Sequence, residues 1–346
     1  ECLIFISVRS LDAVPCSKVS KKAARHFQSG VGQVACAAMT VEENLAGGEV
    51  RYVDRHDGGL KTEAIYGERG LRWVYGNPLG RLTQWLLLRR WIVSAWYGRK
   101  MDEVKSYVRI APFIEKYGLD ESEFAEPASE YASFNEFFYR KLKPEARPVD
   151  AKADSVVFPA DGRHMVFADI SAEDNFLVKG QSFDLQRFLG DADLAKRYEG
   201  GSMLLSRLCP VDYHRFHFPC AGEAGIPRLI NGWLYSVNPI ALITRPTIFW
   251  ENKRIVTAID TPSLGQVQFV EIGATMVGSV RQTYMPGDTV AKGDEKGYFA
   301  FGGSSVAVLF EEDRVQFDAD LLENTARGFE TYARVGERMG QALGQA

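Results

Sequence analysis

The amino-acid sequence predicts an α+β protein: a helical region, then a mainly β domain of barrel or sandwich type, closed by a C-terminal helix. Three observations carry that expectation. Between Tyr66 and Ile110, tryptophans, leucines and arginines recur at helical intervals. From Ser155 onward, short apolar runs follow one another closely, separated by turn-forming residues. Gly297–Phe310 holds two such runs around Gly302-Gly303-Ser304-Ser305. The second run, Val306–Phe310, is apolar throughout, as a fully buried strand would be.

Composition narrows the class. The 346 residues suffice for one large domain or two smaller ones, and 46% hydrophobic with 25% charged residues is an ordinary globular balance. A net charge of −4 gives no reason to expect nucleic acid as a partner. The five cysteines, Cys2, Cys16, Cys36, Cys209 and Cys220, are odd in number and form no Cys-x-x-Cys pair. That argues against a disulfide scaffold or a zinc knot and suits a reducing compartment. No run of about 18 uncharged apolar residues occurs, so no bilayer-spanning helix is expected. Cys2–Val8 is apolar but short and lacks a preceding basic flank, so it does not read as a secretory signal.

Taken in order, residues 1–48 show no sustained periodicity and are expected to form a poorly ordered leader. Residues 49–150 form the helical region. It opens with a strand pair over Glu49–Thr62, turning at Asp57-Gly58-Gly59. Nine arginines and lysines against three acidic residues give Tyr66–Ile110 a local charge of +6. Trp85–Leu88 and Trp91–Val93, with Arg89-Arg90 between them, read as an amphipathic helix suited to an anionic membrane surface. A helix packed on the protein's own core with a solvated basic face fits the same pattern. A further helix is expected over Phe134–Leu142, with Ser133 and Glu136 as a capping box and Pro144 beyond its end. Arg140, Lys141 and Lys143 would either face a substrate phosphate or only cover the next domain.

Residues 151–346 form the β-rich domain. Its expected strands include Ser155–Phe158, His164–Phe167, Gly201–Ser206, Tyr213–Phe218, Arg254–Thr261, Gln266–Ile272, Met276–Tyr284, Tyr298–Phe301 and Ser304–Phe310. Short helices are expected at Phe183–Leu189 and Asp191–Tyr198, and a final one over Ala319–Met339. Met285–Gly293 resembles the turn sequence of lipoyl and biotinyl carrier domains and related hammerhead barrels, with tight turns at Gly287 and Gly293. A non-catalytic carrier or binding module is therefore an alternative, although no lysine stands alone at a hairpin tip between two hydrophobic runs.

Several residues could carry chemistry. Gly302-Gly303-Ser304-Ser305 reads as a turn, or as a self-cleavage site in which a serine hydroxyl attacks the unhindered Gly303 carbonyl. Asp161, in Pro159-Ala160-Asp161-Gly162, is a hairpin-turn residue unless other groups converge on it. His214 and His217 are two of five histidines. On a regular strand they would point to opposite faces, so a bend is needed to aim both at one site. Core imidazoles are one reading, and a metal site completed by His164 or Asp161 is another.

Four separated segments occur in the order of one family. They are Phe134–Pro148 (Phe-Asn-Glu-Phe-Phe-Tyr-Arg-Lys-Leu-Lys-Pro-Glu-Ala-Arg-Pro), Phe158–Arg163 (Phe-Pro-Ala-Asp-Gly-Arg), Cys209–Pro219 (Cys-Pro-Val-Asp-Tyr-His-Arg-Phe-His-Phe-Pro) and Gly-Gly-Ser-Ser at Gly302–Ser305. From about Val50 to Gly340 the chain resembles the phosphatidylserine decarboxylase family. That resemblance implies a proenzyme cut between Gly303 and Ser304, with a β chain to 303 and an α chain from 304. Asp161 would orient His217, His217 would take the Ser304 proton, and the former Ser304 would become a pyruvoyl cofactor. A pyruvoyl ketone condenses with a substrate amine and accepts the electrons left as CO₂ departs. His214 would protonate the carbanion.

The implied substrate is phosphatidylserine, the products are phosphatidylethanolamine and CO₂, and the place is the cytoplasmic side of an anionic membrane, held peripherally. A homodimer is left open, and a related decarboxylase of soluble amino acids is a second alternative. Where most members have Leu-Gly-Ser-Thr, this chain has Gly-Gly-Ser-Ser. The scissile Gly-Ser pair is kept, and Ser305 is a second hydroxyl beside it.

Overall fold

A computed structural model describes residues 49–172, 176, 182–275, 280–302 and 304–344. The expected leader, residues 1–48, lies outside the described residues, as do Gly303 and positions 276–279 of the expected Met276–Tyr284 strand.

The protein is a mixed α+β structure built on one large sheet. The first strands are β1 (Arg51–Asp54), β2 (Leu60–Thr62), β3 (Ser155–Val157), β4 (Gly162–Phe167), β5 (Ser202–Leu208) and β6 (Arg215–His217). Next come β7 (Gly222–Ala224), β8 (Arg228–Ile230), β9 (Arg254–Thr261), β10 (Gly265–Ile272), β11 (Val280–Gln282) and β12 (Thr289–Val290). The last are β13 (Glu295–Phe299), β14 (Ser304–Phe310), β15 (Val315–Phe317), β16 (Glu330–Ala333) and β17 (Arg338–Ala342). The eleven-stranded sheet runs β12, β7, β9, β10, β14, β5, β4, β16, β1, β2, with β8 also paired to β9. Two three-stranded sheets accompany it, β11-β13-β6 and β15-β17-β3.

The apolar alternation of β14 explains how these layers meet. Val306, Val308 and Phe310 enter a core shared with Phe216 and Phe299 of one small sheet and Phe317 and Met339 of the other. Ala307 and Leu309 point the opposite way, into a core with Phe188, Phe249 and Trp250. Those three come from the helices that cover that face. A strand buried on both sides needs no polar alternation, which is why Val306–Phe310 has none.

The helical region begins with α1 (Glu68–Gly76) and α2 (Pro78–Thr83), runs through a π-helical turn at Gln84–Leu88, and continues as α3 (Trp91–Asp102), α4 (Ile110–Tyr117) and α5 (Phe134–Phe138). Pro78 takes the first position of α2, where no amide donor is needed, and Asn77 caps the helix by accepting from the Gly80 amide at 2.8 Å. Gly80 lets the two helices touch: a Cβ there would lie 2.1 Å from the Trp73 carbonyl oxygen. Phe113, Phe134, Phe137 and Phe138 build a third core around Phe301, which arrives from the β domain. Burying one such ring is worth about 1.5–3 kcal/mol, so Phe301 is a substantial tie between the regions. Beyond α5 lie α6 (Leu185–Leu189), α7 (Ala192–Arg197), α8 (Pro239–Thr244), α9 (Ile248–Glu251) and α10 (Ala319–Ala326).

Several expectations are corrected. The large sheet does not close into a barrel among the described residues. The final helix over Ala319–Met339 is only α10; Gly328, at φ 73°, reverses the chain, and residues 330–342 supply β16 and β17. Their apolar positions satisfied a helical period by coincidence. The helix expected over Phe134–Leu142 stops at Phe138, and Leu142 bridges to Phe124 instead. Half of its capping box forms: Ser133 accepts from the Glu136 amide, while the Glu136 carboxylate reaches the Ala132 amide rather than that of Ser133. The Asp161-Gly162 hairpin is absent, because β3 and β4 belong to different sheets. The amphipathic helix across Trp85–Val93 is broken at Arg89-Arg90. Arg89 is buried against the Tyr235 hydroxyl and the Trp233 ring and so is no part of a solvated face. The strand pair around Asp57-Gly58-Gly59 is present as β1 and β2, and Gly287 and Gly293 adopt φ of 90° and 88° at the two expected turns.

Candidate active site

Ser304 opens β14 at the centre of the large sheet, opposite Leu208 of β5. It is fully buried, and its Oγ has no hydrogen-bond partner among the described residues. Such orphaned buried hydroxyls are rare in a settled core and ask for a chemical explanation. The residues before it are pinned: the Phe299 amide donates to the His214 carbonyl at 3.0 Å, and the Phe301 amide to Asn135 Oδ1 at 2.9 Å. Gly302 has φ 131°, a conformation open to glycine and strained for other residues.

His214 lies just before β6, outside the regular strand, with its ring 3.9 Å from that of Phe138. Its Nδ1 donates to the Asp212 carbonyl at 2.9 Å. Its Nε2 has no hydrogen-bond partner among the described residues, and the nearby Gly302 backbone slightly favours the protonated ring. Burial pushes its pKa down to about 3, so the ring is neutral near pH 7 with a proton-free Nε2.

His217 is in β6. Its Nδ1 donates to the Gly293 carbonyl at 2.9 Å, which leaves Nε2 as an acceptor, and that atom also lacks a partner among the described residues. Burial lowers its pKa, and the Gly293 carbonyl partly offsets this. The two imidazoles are separated because His214 precedes the regular strand; the irregularity in the β6–β13 pairing falls on β13, where Lys296 is the extra residue between Glu295 and Gly297.

Asp161 precedes β4 and is buried. The His217 amide donates to the Pro159 carbonyl at 2.7 Å, so the two motif segments adjoin. Their side chains are not hydrogen-bonded. Asp161 is taken by Arg147, whose Nε and Nη2 donate to it, and by the Val335 amide at 2.9 Å. Its charge raises the proton affinity of His217 through space. No hydrogen bond joins Ser304 to either histidine. The structure therefore brings His217 beside the Asp161 segment and His214 beside Gly302, without the continuous hydrogen-bonded chain expected from Asp161 through His217 to Ser304.

A cavity of about 300 Å³ lies against this turn, lined by Phe301 and Gly302, by Leu208 and Cys209, and by Leu71 and Val74 of α1. One wall is polar. Glu63 pairs with both Arg207 and Arg163, and burial alone would raise its carboxyl, but the two guanidiniums hold it down to about 2. Arg207 also pairs with Glu330, and Arg163 with Asp212.

Of the basic residues after α5, Arg140 is buried over the Phe124 and Phe137 rings, and Lys143 donates to the Ser122 carbonyl at the surface. Nothing in the sequence alone singles out Arg147, Asn135 or Arg207, which the structure places against Asp161, Phe301 and Glu63. Arg147 and Asn135 sit inside a motif that was legible, yet nothing in one sequence says which side chain faces the site.

The residues fit a group made from Ser304: a buried, unbonded hydroxyl follows a glycine pair beside a cavity large enough for part of a substrate. A family profile for phosphatidylserine decarboxylase matches residues 134–343. The phosphatidylserine decarboxylase proenzyme of Fusobacterium nucleatum is 44% identical over 292 residues, covering 84% of this chain and 97% of that protein. The one from Chlamydia muridarum is 45% identical over 295 residues, 85% of this chain and 97% of its own length. That of Desulfitobacterium hafniense is 40% identical over 291 residues, 84% and 98% respectively. Motif order, the orphaned Ser304 hydroxyl and near full-length similarity agree, and the chain belongs to the phosphatidylserine decarboxylase family.

Proposed function

We propose that this chain is a self-processing decarboxylase of phosphatidylserine and that Ser304 is both its cleavage nucleophile and the origin of its pyruvoyl group. The observation that carries the reading is the buried Ser304 Oγ directly after Gly302-Gly303, without a partner among the described residues, as are Ser305 Oγ and the Nε2 atoms of His214 and His217; the Gly-Ser bond chooses Ser304 over Ser305.

In the processing step, Oγ bonds to the Gly303 carbonyl carbon and gives its proton to His217 Nε2. The Gly303–Ser304 C–N bond breaks, and the freed nitrogen takes a proton. Loss of the Ser304 Cα proton then expels the Gly303 carboxylate and leaves dehydroalanine. Water releases ammonia from it, and the new α chain begins with the pyruvoyl group. That group supplies a carbonyl electron sink for decarboxylating an acid that carries a primary amine. His214, near Gly302, is the residue that would deliver the proton that replaces CO₂; its Nε2, proton-free near pH 7 in the uncut chain, would first take that proton up.

Substrate access supports a lipid. The helical segments that wall the cavity also expose large apolar residues: Trp91 is 68% exposed, Leu87 56% and Trp73 49%. No helix of the described residues is long and apolar enough to cross a membrane. A peripheral enzyme that rests this face on the cytoplasmic side of an anionic membrane would draw its lipid toward the cavity.

Intact mass spectrometry of the wild type beside Ser304→Ala, with CO₂ release measured from phosphatidylserine vesicles and from free serine, tests the reading. Two chains in the wild type only, with release from vesicles, is the expected result. One uncut chain in both samples would overturn the cleavage reading, and release from free serine alone would replace the lipid with a soluble amino acid.

A further inference from the structure

The segment Phe134-Asn135-Glu136-Phe137-Phe138 is the motif that the processing chemistry leaves unexplained. Its three phenylalanines are core residues. Asn135 is different: it is a buried amide on α5 with both ends engaged. Its Oδ1 accepts from the Phe301 amide at 2.9 Å, and its Nδ2 donates to Asp102 at the end of α3. The partners fix the orientation of the amide, because a backbone N–H can only donate and a carboxylate only accept.

Phe301 stands two residues before the scissile carbonyl. Its ring is packed among Tyr66, Tyr97, Phe134 and Phe138, at centroid distances of 6.2, 5.6, 5.3 and 4.9 Å. Downstream, Ser304 is already in the β14–β5 ladder. The turn is thus held from both sides, and on the upstream side the only polar hold on Phe301 among the described residues is Asn135. Packing alone leaves a ring free to slide along its slot, whereas one directed bond to the backbone fixes register. A carbonyl displaced by about 1 Å from its attacking oxygen can cost two orders of magnitude in rate.

We infer that Asn135 is a positioning residue for self-cleavage. Oriented by Asp102, it holds the Phe301 backbone in register with Ser304 at the head of β14, and so positions the segment for cleavage. The inference rests on Ser304 being the cleavage nucleophile. It makes the helical layer part of the processing machinery: α3 sets Asp102, Asp102 sets Asn135, and Asn135 sets the turn.

The test follows chain cleavage in full-length protein made by pulse-labelled cell-free synthesis, with the half-time read from the two products on a gel. Asn135→Ala is expected to slow cleavage at least about tenfold. Asn135→Asp alone is also expected to be slow, because its carboxylate would face that of Asp102. The exchange Asp102→Asn with Asn135→Asp keeps an acceptor on the Phe301 amide and a donor–acceptor pair behind it, so cleavage should return close to the wild-type half-time. Phe113→Leu, which loosens the same core without touching the clamp, controls for stability; each variant's melting temperature is taken in the uncut Ser304→Ala background. Cleavage that tracks melting temperature alone, or a double exchange no faster than Asn135→Asp, would overturn the inference. A wild type that never cuts between Gly303 and Ser304 would instead overturn the reading it rests on.

Discussion

Arg147 grips Asp161 at two atoms: its Nε and Nη2 lie 2.9 and 2.7 Å from the same carboxylate oxygen, Oδ2. The same guanidinium reaches Glu123 at 3.1 Å, so one side chain links the helical layer to the Asp161 motif. Burial alone would lower the Arg147 pKa, but the Asp161 charge raises it instead.

Removing Arg147 leaves a buried carboxylate held by one amide. Arg147→Ala should cost about 3–5 kcal/mol, as breaking a buried pair does, and Arg147→Lys should recover only part of that because it lacks the planar fork. Urea unfolding of both in the uncut Ser304→Ala background measures it. A loss under about 1 kcal/mol would mean that the pair behaves as a surface contact.

Cleavage should report the depressed basicity of His217. A base must be proton-free, and the proton-free fraction rises with pH through the folded pKa, which burial puts below the ordinary 6.5. The cleavage rate should therefore still exceed half its plateau at pH 6.5 and pass its midpoint only below it. A rate already halved at pH 6.5 would show an unshifted histidine. His217→Ala should leave the chain uncut, whereas His214→Ala should still cleave and lose decarboxylation by about 10²–10⁴-fold.

The exposed apolar face should bind membranes. Trp85, Leu87 and Trp91 are exposed while Arg89 is buried, so the informative variant changes the first three to serine and leaves Arg89 alone. Co-sedimentation with phosphatidylglycerol-containing vesicles should fall at least about tenfold, with chain cleavage unchanged. Equal sedimentation of variant and wild type would assign these side chains to another contact.

Lys296 and Glu271 form a fully buried ion pair, with Thr257 and Gln282 as further partners of the ammonium. Glu271→Gln strands the cation and should cost about 3–5 kcal/mol, while Lys296→Met with Glu271→Leu should be close to neutral. Thermal unfolding of the three proteins decides it. A double variant as unstable as the single one would show that the pair holds the fold through more than its own charges.

Much was legible because some signals are local. Val306–Phe310 reads as a buried strand and is one, and Gly287 and Gly293 read as tight turns and adopt positive φ. The Gly303–Ser304 pair and the two histidines announced themselves by residue type and order. Other signals were local and misleading. The positions Phe329, Tyr332, Ala333 and Val335 satisfy a helical period, yet strand pairing with β4 outweighs it once Gly328 reverses the chain. Arg89 looked solvated because its aromatic partners, Tyr235 and Trp233, lie about 145 residues away.

By itself, then, the sequence determined the mixed α+β class, the buried central strand, the family and the residues that could react. Those follow from side-chain chemistry and short-range spacing. The tertiary structure alone decided the partners: that Asp161 is held by Arg147 and not by His217, that a cavity opens beside Gly302, and that Asn135 bonds to Phe301 across 166 residues of chain. Such contacts depend on how sheets and helices pack, and no periodicity along the chain encodes which distant side chain will meet which.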